Sequence, residues 1–352
     1  MAKSFEEFFQ PLLGWNPPSH WRRITTVDLH TAGEPLRIIL TGYPELPGQT
    51  ILARRRYAGE RFDYLRKILM WEPRGHADMY GCIITPPTSQ EANFGVLFLH
   101  NEGYSSMCGH GIIAVTKMAV ETGLVPMTRP VTIVRIDSPA GLITAYAKIS
   151  RGSVESVAFR NVPSFVLSLD EIIDVPGLGE IRYDLAFGGA FYAYVQADQV
   201  GLKCTPDEFR SIIDKGMAIK HAIVKSRTIP HPFEQDLSFL YGTIFIAPPT
   251  GAGADSRNVC VFADGEVDRS PTGTGVSGRM AIHFARKEVT ISQPIVVESI
   301  IGSRFTGRVV EVATFGKHAA VIPEVEGSAS ITGRHEFYID PEDPLRNGFM
   351  LR

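Results

Sequence analysis

Three short motifs occur twice in the 352-residue chain, in the same order, and this repetition constrains the fold more than any other feature. The matched pairs are 28–33 with 184–189, 108–111 with 272–275, and 138–141 with 299–302, displaced by 156, 164 and 161 residues. Any one match could arise by chance, but their nearly constant displacement indicates duplication. Because a chain of this length commonly holds two domains, we expect two copies of one domain, with a boundary near 165–178.

The pattern of hydrophobic residues predicts a chain that mixes strands with a few helices. Runs rich in β-branched and aromatic residues predict strands at 24–29, 36–41, 95–100, 131–136 and 258–263. Apolar residues at helical spacing, with Pro as a start or stop signal, predict helices at 61–70, 110–122, 206–226 and 274–287. The sequence therefore favours an α/β fold.

Charge and composition exclude several classes of protein. The net charge of −3 does not supply the basic field that binding to nucleic acid requires. We find no apolar run long enough to cross a membrane and no pattern of a secretory signal at the N-terminus. Four scattered cysteines are too few for a disulfide framework. These features indicate a cytoplasmic protein that acts on a small molecule, with no nucleic-acid or membrane partner.

Both copies place a glycine-containing polar loop directly before a predicted helix. The loops are 105–111 and 268–275, and helix starts offer unpaired N–H groups that favour anions. Two such loops facing each other would hold one carboxylate from two sides. The same glycines also fit the dinucleotide fingerprint at 109–114 and 273–278. Because polar residues separate both loops from the preceding strands, a nicotinamide-dependent oxidoreductase is the weaker alternative.

Cys108 is the most reactive candidate in these loops. A thiol at a helix start beside His110 is expected to have a lowered pKa and to act as a base or a nucleophile. The other cysteines lack such neighbours and are expected to be structural. No further ligands at suitable spacing accompany Cys108 and His110, so no metal site is predicted.

The segments 28–35, 72–81, 100–111 and 268–275 resemble the proline racemase family, and the resemblance extends over roughly residues 24–351. Within that family, 240–244, 258–264 and 343–352 are most similar to members that dehydrate trans-3-hydroxy-L-proline. The resemblance implies a diaminopimelate-epimerase-like α/β (α+β) fold. Two pseudo-symmetric halves would each wrap strands around a central helix, with the active site in the cleft between them. The expected segments are an extension at 1–20, halves at 21–170 and 171–340, and a tail at 341–352 that returns to the first half.

Racemases of this family place one cysteine on each face of the substrate α-carbon. Cys108 matches the first cysteine, whereas the second position is Thr272. A threonine hydroxyl is too weak an acid and base to replace a thiol near neutral pH, so two-base racemisation is not expected. In trans-3-hydroxy-L-proline the α-hydrogen and the hydroxyl share one ring face. Cys108 would therefore remove the α-proton as the proton acceptor and then, as a thiol, protonate the leaving hydroxyl.

The family also implies which groups hold the substrate. The backbone N–H groups of Gly109, His110, Gly273 and Thr274 would bind its carboxylate, and Asp268 would accept from the ring ammonium. No cofactor is required. The product would be Δ1-pyrroline-2-carboxylate, and the alternative within the family is a 2-epimerase or racemase of proline or hydroxyproline. The oligomeric state stays open, with a homodimer as the candidate.

Overall fold

The computed structural model describes residues 4–351 as a sheet of 17 strands with five α-helices. The helices are α1 (Phe5–Leu13), α2 (Ile51–Met70), α3 (Gly109–Glu121), α4 (Phe209–Ser226) and α5 (Gly273–Ala285). The first nine strands are β1 (Arg22–Thr31), β2 (Glu34–Thr41), β3 (Tyr80–Thr85), β4 (Phe94–His100), β5 (Val131–Ser138), β6 (Gly141–Ser150), β7 (Ser153–Arg160), β8 (Ser164–Val175) and β9 (Gly179–Phe187). The others are β10 (Phe191–Gln196), β11 (Leu240–Ala247), β12 (Ser256–Phe262), β13 (Glu266–Val267), β14 (Ile295–Glu298), β15 (Arg304–Phe315), β16 (His318–Gly327) and β17 (Ala329–Ile339).

Two helices, α3 and α5, lie inside this sheet. Both carry small or apolar residues on nearly every side, a composition typical of a helix that is buried all round, and both are buried over most of their length. Strands β1, β6 and β7 pack against α3, whereas β8, β9, β15 and β16 pack against α5. The expected arrangement of strands around a central helix in each half is confirmed.

The duplication is visible in the connections between strands. Strands β2 and β3 are parallel and are joined through α2, as β10 and β11 are parallel and joined through α4. Likewise α3 joins the parallel strands β4 and β5, and α5 lies between the parallel strands β12 and β14. Parallel neighbours need such crossover connections. The central helices α3 and α5 are therefore equivalent, and their N-termini occupy equivalent places.

The C-terminal strands join the N-terminal part of the sheet. Strand β17 pairs with β1 over its whole length, and β16 pairs with both β7 and β8. Near the C-terminus, Phe349 N donates to the carbonyl of Glu72 at 2.9 Å. The stretch 165–178, where we expected a boundary, is mostly strand β8. The proposed division of the chain into segments stays a prediction.

The extension at 1–20 contains α1, while residues 1–3 lie outside the described part. Ser4 and Glu7 cap the start of α1, and no residue of this helix is buried. Within residues 4–351, no helix combines the length and the apolar character needed to cross a membrane.

Candidate active site

The N-termini of α3 and α5 meet at Gly109 and Gly273. A methyl group added to Gly109 would lie 2.6 Å from the Cα of Gly273, and one added to Gly273 would lie 2.7 Å from the Cα of Gly109. Such distances are far below van der Waals contact, so only glycine permits this approach. The contact brings two sets of helix-start N–H groups to one point, as the sequence predicts for a carboxylate site.

A small cavity of about 20 Å³, lined by buried residues, lies beside this contact and has room for about one water molecule. Its lining includes all seven residues that the sequence analysis selected: Cys108, Gly109, His110, Asp268, Thr272, Gly273 and Thr274. The other lining residues are Tyr80, Met107, Tyr192, Tyr241 and Phe262. The structure therefore brings the selected residues together, while their chemical roles remain proposals.

Cys108 caps the N-terminus of α3. Its Sγ accepts a hydrogen bond from the backbone N–H of Gly111 at 3.2 Å and lies 3.2 Å from Nδ1 of His110. The expected lowering of its pKa is wrong for this closed site. Burial raises the pKa of the Cys108 thiol well above its ordinary value, and the hydrogen bond from Gly111 only partly offsets this effect. The negative charge of Asp268 raises the pKa further.

His110 is neutral in this site. Burial lowers the pKa of its imidazole to about 3, although a hydrogen bond to the backbone of Pro35 acts in the opposite direction. Both ring nitrogens lie near the Cys108 Sγ, Nδ1 at 3.2 Å and Nε2 at 3.6 Å. His110 therefore contacts the thiol and does not supply a positive charge.

We expect the closed, substrate-free protein to contain no Cys108 thiolate at neutral pH. Because burial raises the pKa of this thiol above its ordinary value of 9.0, the neutral form persists to higher pH. The ultraviolet absorbance of thiolate, recorded as wild type minus Cys108→Ser along a pH titration, should therefore rise only above pH 9.0. A thiolate signal at neutral pH would show that the helix terminus outweighs burial.

Thr272 differs from Cys108 in more than its functional group. Its backbone has φ +65° and ψ 95°, a left-handed conformation that is strained for a β-branched residue, whereas Cys108 has an extended backbone. The Thr272 hydroxyl oxygen is buried and has no hydrogen-bond partner among the described residues. Burial raises the pKa values of the neighbouring Cys260 and Asp268, and the Thr272 side chain only partly opposes both shifts. The second face of the cavity thus lacks a positioned base.

Asp268 lies at the cavity in a buried turn. Its Oδ1 accepts from the backbone N–H of Ser270 at 2.7 Å, and burial raises the pKa of its carboxyl. Glu34 is fully buried and accepts from the backbone N–H of Arg269 at 2.7 Å. Glu34 therefore anchors the loop that presents Asp268 to the cavity.

Sequence reasoning missed a group of hydroxyl side chains at the cavity. Tyr80 at the start of β3 and Tyr241 near the start of the equivalent strand β11 bring their hydroxyl oxygens within 3.3 Å. The Tyr80 hydroxyl is also 2.5 Å from the Ser105 hydroxyl. Tyr192 pairs its hydroxyl with that of Thr274 at 2.7 Å. Tyr80 and Tyr241 lie in segments 72–81 and 240–244, which carry the family resemblance, and this was the only signal for them.

The site offers little support for nucleotide or metal chemistry. Because the two helix starts are packed directly against each other, neither leaves a groove for a pyrophosphate. Over the described range 4–351, His, Cys, Asp and Glu side chains form no group of three or more that could hold a metal ion.

Known proteins resemble this chain over most of its length. The proline racemase family model matches residues 26–350. The trans-3-hydroxy-L-proline dehydratase of Colwellia psychrerythraea is 49% identical over 100% of both chains. The protein of the same name from Bacillus cereus is 51% identical over 93% of this chain and 98% of its own.

A crystal structure of a hydroxyproline epimerase from Agrobacterium vitis, with bound trans-4-hydroxy-L-proline, has the same fold. Its TM-score is 0.88 at 33% sequence identity, with 94% of this chain and 96% of that chain covered. The match of the family model over nearly the whole length, together with these relatives, shows that the chain belongs to the proline racemase family.

Proposed function

We propose that this protein is a hydro-lyase that converts trans-3-hydroxy-L-proline to Δ1-pyrroline-2-carboxylate without a cofactor. The observation that carries the proposal is the asymmetry of the cavity, which has the Cys108 thiol at one helix start and Thr272 at the other. One base suits an elimination in which the proton and the hydroxyl leave from the same face. The relatives from Colwellia and Bacillus carry the corresponding name.

The paired helix starts hold the substrate carboxylate in this proposal. Backbone N–H groups of Gly109, His110, Gly273 and Thr274 donate to it from both sides, which also stabilises the negative charge that develops after proton removal. Asp268 accepts from the ring ammonium. Because a cavity of about 20 Å³ is too small for a proline ring, the two halves must separate before substrate enters.

The elimination begins at the α-carbon. Cys108 loses its proton to water while the site is open, and the substrate ammonium then favours the thiolate after closure. The thiolate takes the α-proton and the bond from C3 to oxygen breaks. The hydroxyl leaves as water with a proton that comes, in net terms, from the Cys108 thiol, which returns to thiolate. The resulting enamine tautomerises to Δ1-pyrroline-2-carboxylate. Epimerisation would instead need a second acid on the opposite face, where Thr272 stands.

Proton NMR of the reaction with trans-3-hydroxy-L-proline tests the proposal directly. We expect signals of Δ1-pyrroline-2-carboxylate to replace those of the substrate. Parallel reactions with L-proline and trans-4-hydroxy-L-proline should yield no epimer. Formation of an epimer from any of these compounds without loss of water would instead support a 2-epimerase. An NAD(H)-dependent conversion would support the oxidoreductase alternative.

Replacing Thr272 by cysteine should create epimerase activity. The new thiol would face the α-carbon from the side opposite Cys108 and return a proton there, so inversion of L-proline should exceed that of a Thr272→Ser control by about 10²-fold. Chiral chromatography in the presence of a reductant measures this, because the new thiol lies near Cys260. If Thr272→Cys neither exchanges nor inverts the α-hydrogen of any proline, the opposite-face geometry is wrong.

The cytoplasmic location and the homodimer are also proposals. Cell fractionation tests the first, and light scattering of the purified protein tests the second.

A further inference from the structure

The hydroxyl-bearing side chain of Tyr80 lies beside Cys108 at the cavity. Tyr80 lines the same cavity as Cys108, and its ring packs edge-on against His110 with centroids 4.8 Å apart. Its side chain is close enough to Cys108 to offset a small part of the rise that burial causes in the pKa of that thiol. It comes from β3 in the first half of the chain, as Cys108 does from the start of α3. Tyr80 therefore stands beside the base.

Stereochemistry requires the acid to act on the same face as the base. In trans-3-hydroxy-L-proline the departing hydroxyl lies on the face that carries the α-hydrogen. Of the other two tyrosines on the cavity, Tyr192 belongs to β10 and is paired with Thr274 beside the α5 terminus. Tyr241 belongs to β11 in the second half and pairs its hydroxyl with that of Tyr80. Asp268 faces the ring ammonium in the proposed binding mode. Among the lining residues, Tyr80 combines an available proton with a place on the Cys108 side.

The hydroxyl cluster around Tyr80 is uncharged and can reorient. Its members are Tyr80, Ser105 and Tyr241, linked through the Tyr80 oxygen at 2.5 Å and 3.3 Å. Burial raises the pKa values of both tyrosines well above their ordinary range, so both keep their protons at neutral pH. A phenol that keeps its proton can donate it to the oxygen of a leaving hydroxyl.

We propose that Tyr80 is the catalytic acid that protonates the leaving 3-hydroxyl and recovers its proton from Cys108. This inference rests on the proposed dehydratase function. The Cys108 thiolate first takes the α-proton and becomes a thiol. As the bond from C3 to oxygen breaks, the oxygen takes the Tyr80 proton and leaves as water. The Tyr80 phenolate then takes the thiol proton, which restores both residues and balances the reaction.

Replacing Tyr80 by phenylalanine removes the acid and keeps the ring that packs on His110. With trans-3-hydroxy-L-proline in D₂O, we expect dehydration by Tyr80→Phe to fall by about 10²- to 10⁴-fold. Removal of the α-proton by Cys108 persists, so deuterium accumulates at the α-carbon of unreacted substrate. Tyr194→Phe is the matched control, because it removes another buried tyrosine hydroxyl, one that donates to the Gly275 carbonyl outside the cavity. Its ratio of exchange to dehydration should equal that of wild type.

A substrate whose leaving group needs no proton separates an acid from a structural residue. Chloride leaves as the free anion, so Tyr80→Phe should eliminate chloride from trans-3-chloro-L-proline at nearly the wild-type rate. If Tyr80→Phe loses α-hydrogen exchange and both eliminations to the same extent, Tyr80 has a structural role and the inference is overturned. Dehydration by Tyr80→Phe at the wild-type rate would also overturn the inference. A wild-type protein that releases no water from trans-3-hydroxy-L-proline would overturn the proposed function and the acid role together. A dehydrating wild type with an unchanged ratio in Tyr80→Phe would overturn only the acid role.

Discussion

Replacing Cys108 by serine is expected to reduce dehydration of trans-3-hydroxy-L-proline by roughly 10⁴-fold or more. Serine has nearly the same shape, but its hydroxyl holds its proton at any pH at which the protein is folded, so no base remains on that face. The serine oxygen can still accept from the backbone N–H of Gly111, as Cys108 Sγ does at 3.2 Å. Because serine is a favoured N-cap residue, α3 should keep its stability.

The loss in Cys108→Ser should therefore appear in kcat without a change in folding. Thermal unfolding and the kinetics of the purified variant measure the two effects separately. Cys204→Ala is a matched control, because Cys204 is also a buried free thiol but lies outside the cavity. We expect that control to retain its activity. Substantial dehydration by Cys108→Ser would mean that another group removes the α-proton.

Replacing Gly109 by alanine is expected to separate the two helix starts. Alanine normally stabilises a helical position relative to glycine. Here its Cβ would lie 2.6 Å from the Cα of Gly273, and the termini of α3 and α5 must move apart to relieve the collision. We expect unfolding to require about 1–3 kcal/mol less free energy, as for overpacking of a core. Activity should fall by about 10²-fold or more, because the N–H groups no longer converge on one carboxylate.

The contact is mutual, so Gly273→Ala should show the same losses from the other helix. Gly103→Ala is the control, since a methyl group there would meet no atom within 4 Å. Denaturant unfolding and steady-state kinetics of the three variants measure the effects. Wild-type values of kcat/KM in Gly109→Ala would show that the close approach of the helices is not needed for substrate binding.

The architecture could be predicted because local patterns of hydrophobic residues and glycines determine it, and these patterns occur in both halves of the chain. The loops 105–111 and 268–275 have glycines at matching positions and both lead into an apolar run, so each predicts a buried helix that starts at the candidate site. The expected helices at 110–122 and 274–287 agree with α3 and α5 to within two residues. Polar loops in front of such helices indicated the convergence of their N–H groups.

The electrostatics of the site could not be predicted in the same way. A helix start beside a histidine suggested a lowered pKa for Cys108, but that pattern assumes a solvated thiol and a charged imidazole. Burial reverses both assumptions, since it raises the pKa of Cys108 and lowers that of His110. Burial depends on how the two halves close over the cavity, which no local sequence pattern contains.

The hydroxyl cluster could not be predicted because its tyrosines come from strands that are far apart in sequence. Tyr80 and Tyr241 are 161 positions apart in sequence, and neither lies in the two glycine loops that precede α3 and α5. They meet because β3 and β11 occupy equivalent places in the two halves. Recognising the duplication in the loops alone did not reveal which strand residues face the shared cavity.

The central claim is that a single thiol on one face removes the α-proton and that the reaction proceeds to loss of water without inversion. Its most direct test is the reaction of wild-type protein with trans-3-hydroxy-L-proline in D₂O, stopped near half conversion, with chiral and NMR analysis of all components. The account predicts Δ1-pyrroline-2-carboxylate as the product and unreacted substrate that keeps its L configuration. Appearance of the 2-epimer, cis-3-hydroxy-D-proline, carrying deuterium at the α-carbon would contradict it, because that compound requires a second acid on the Thr272 face.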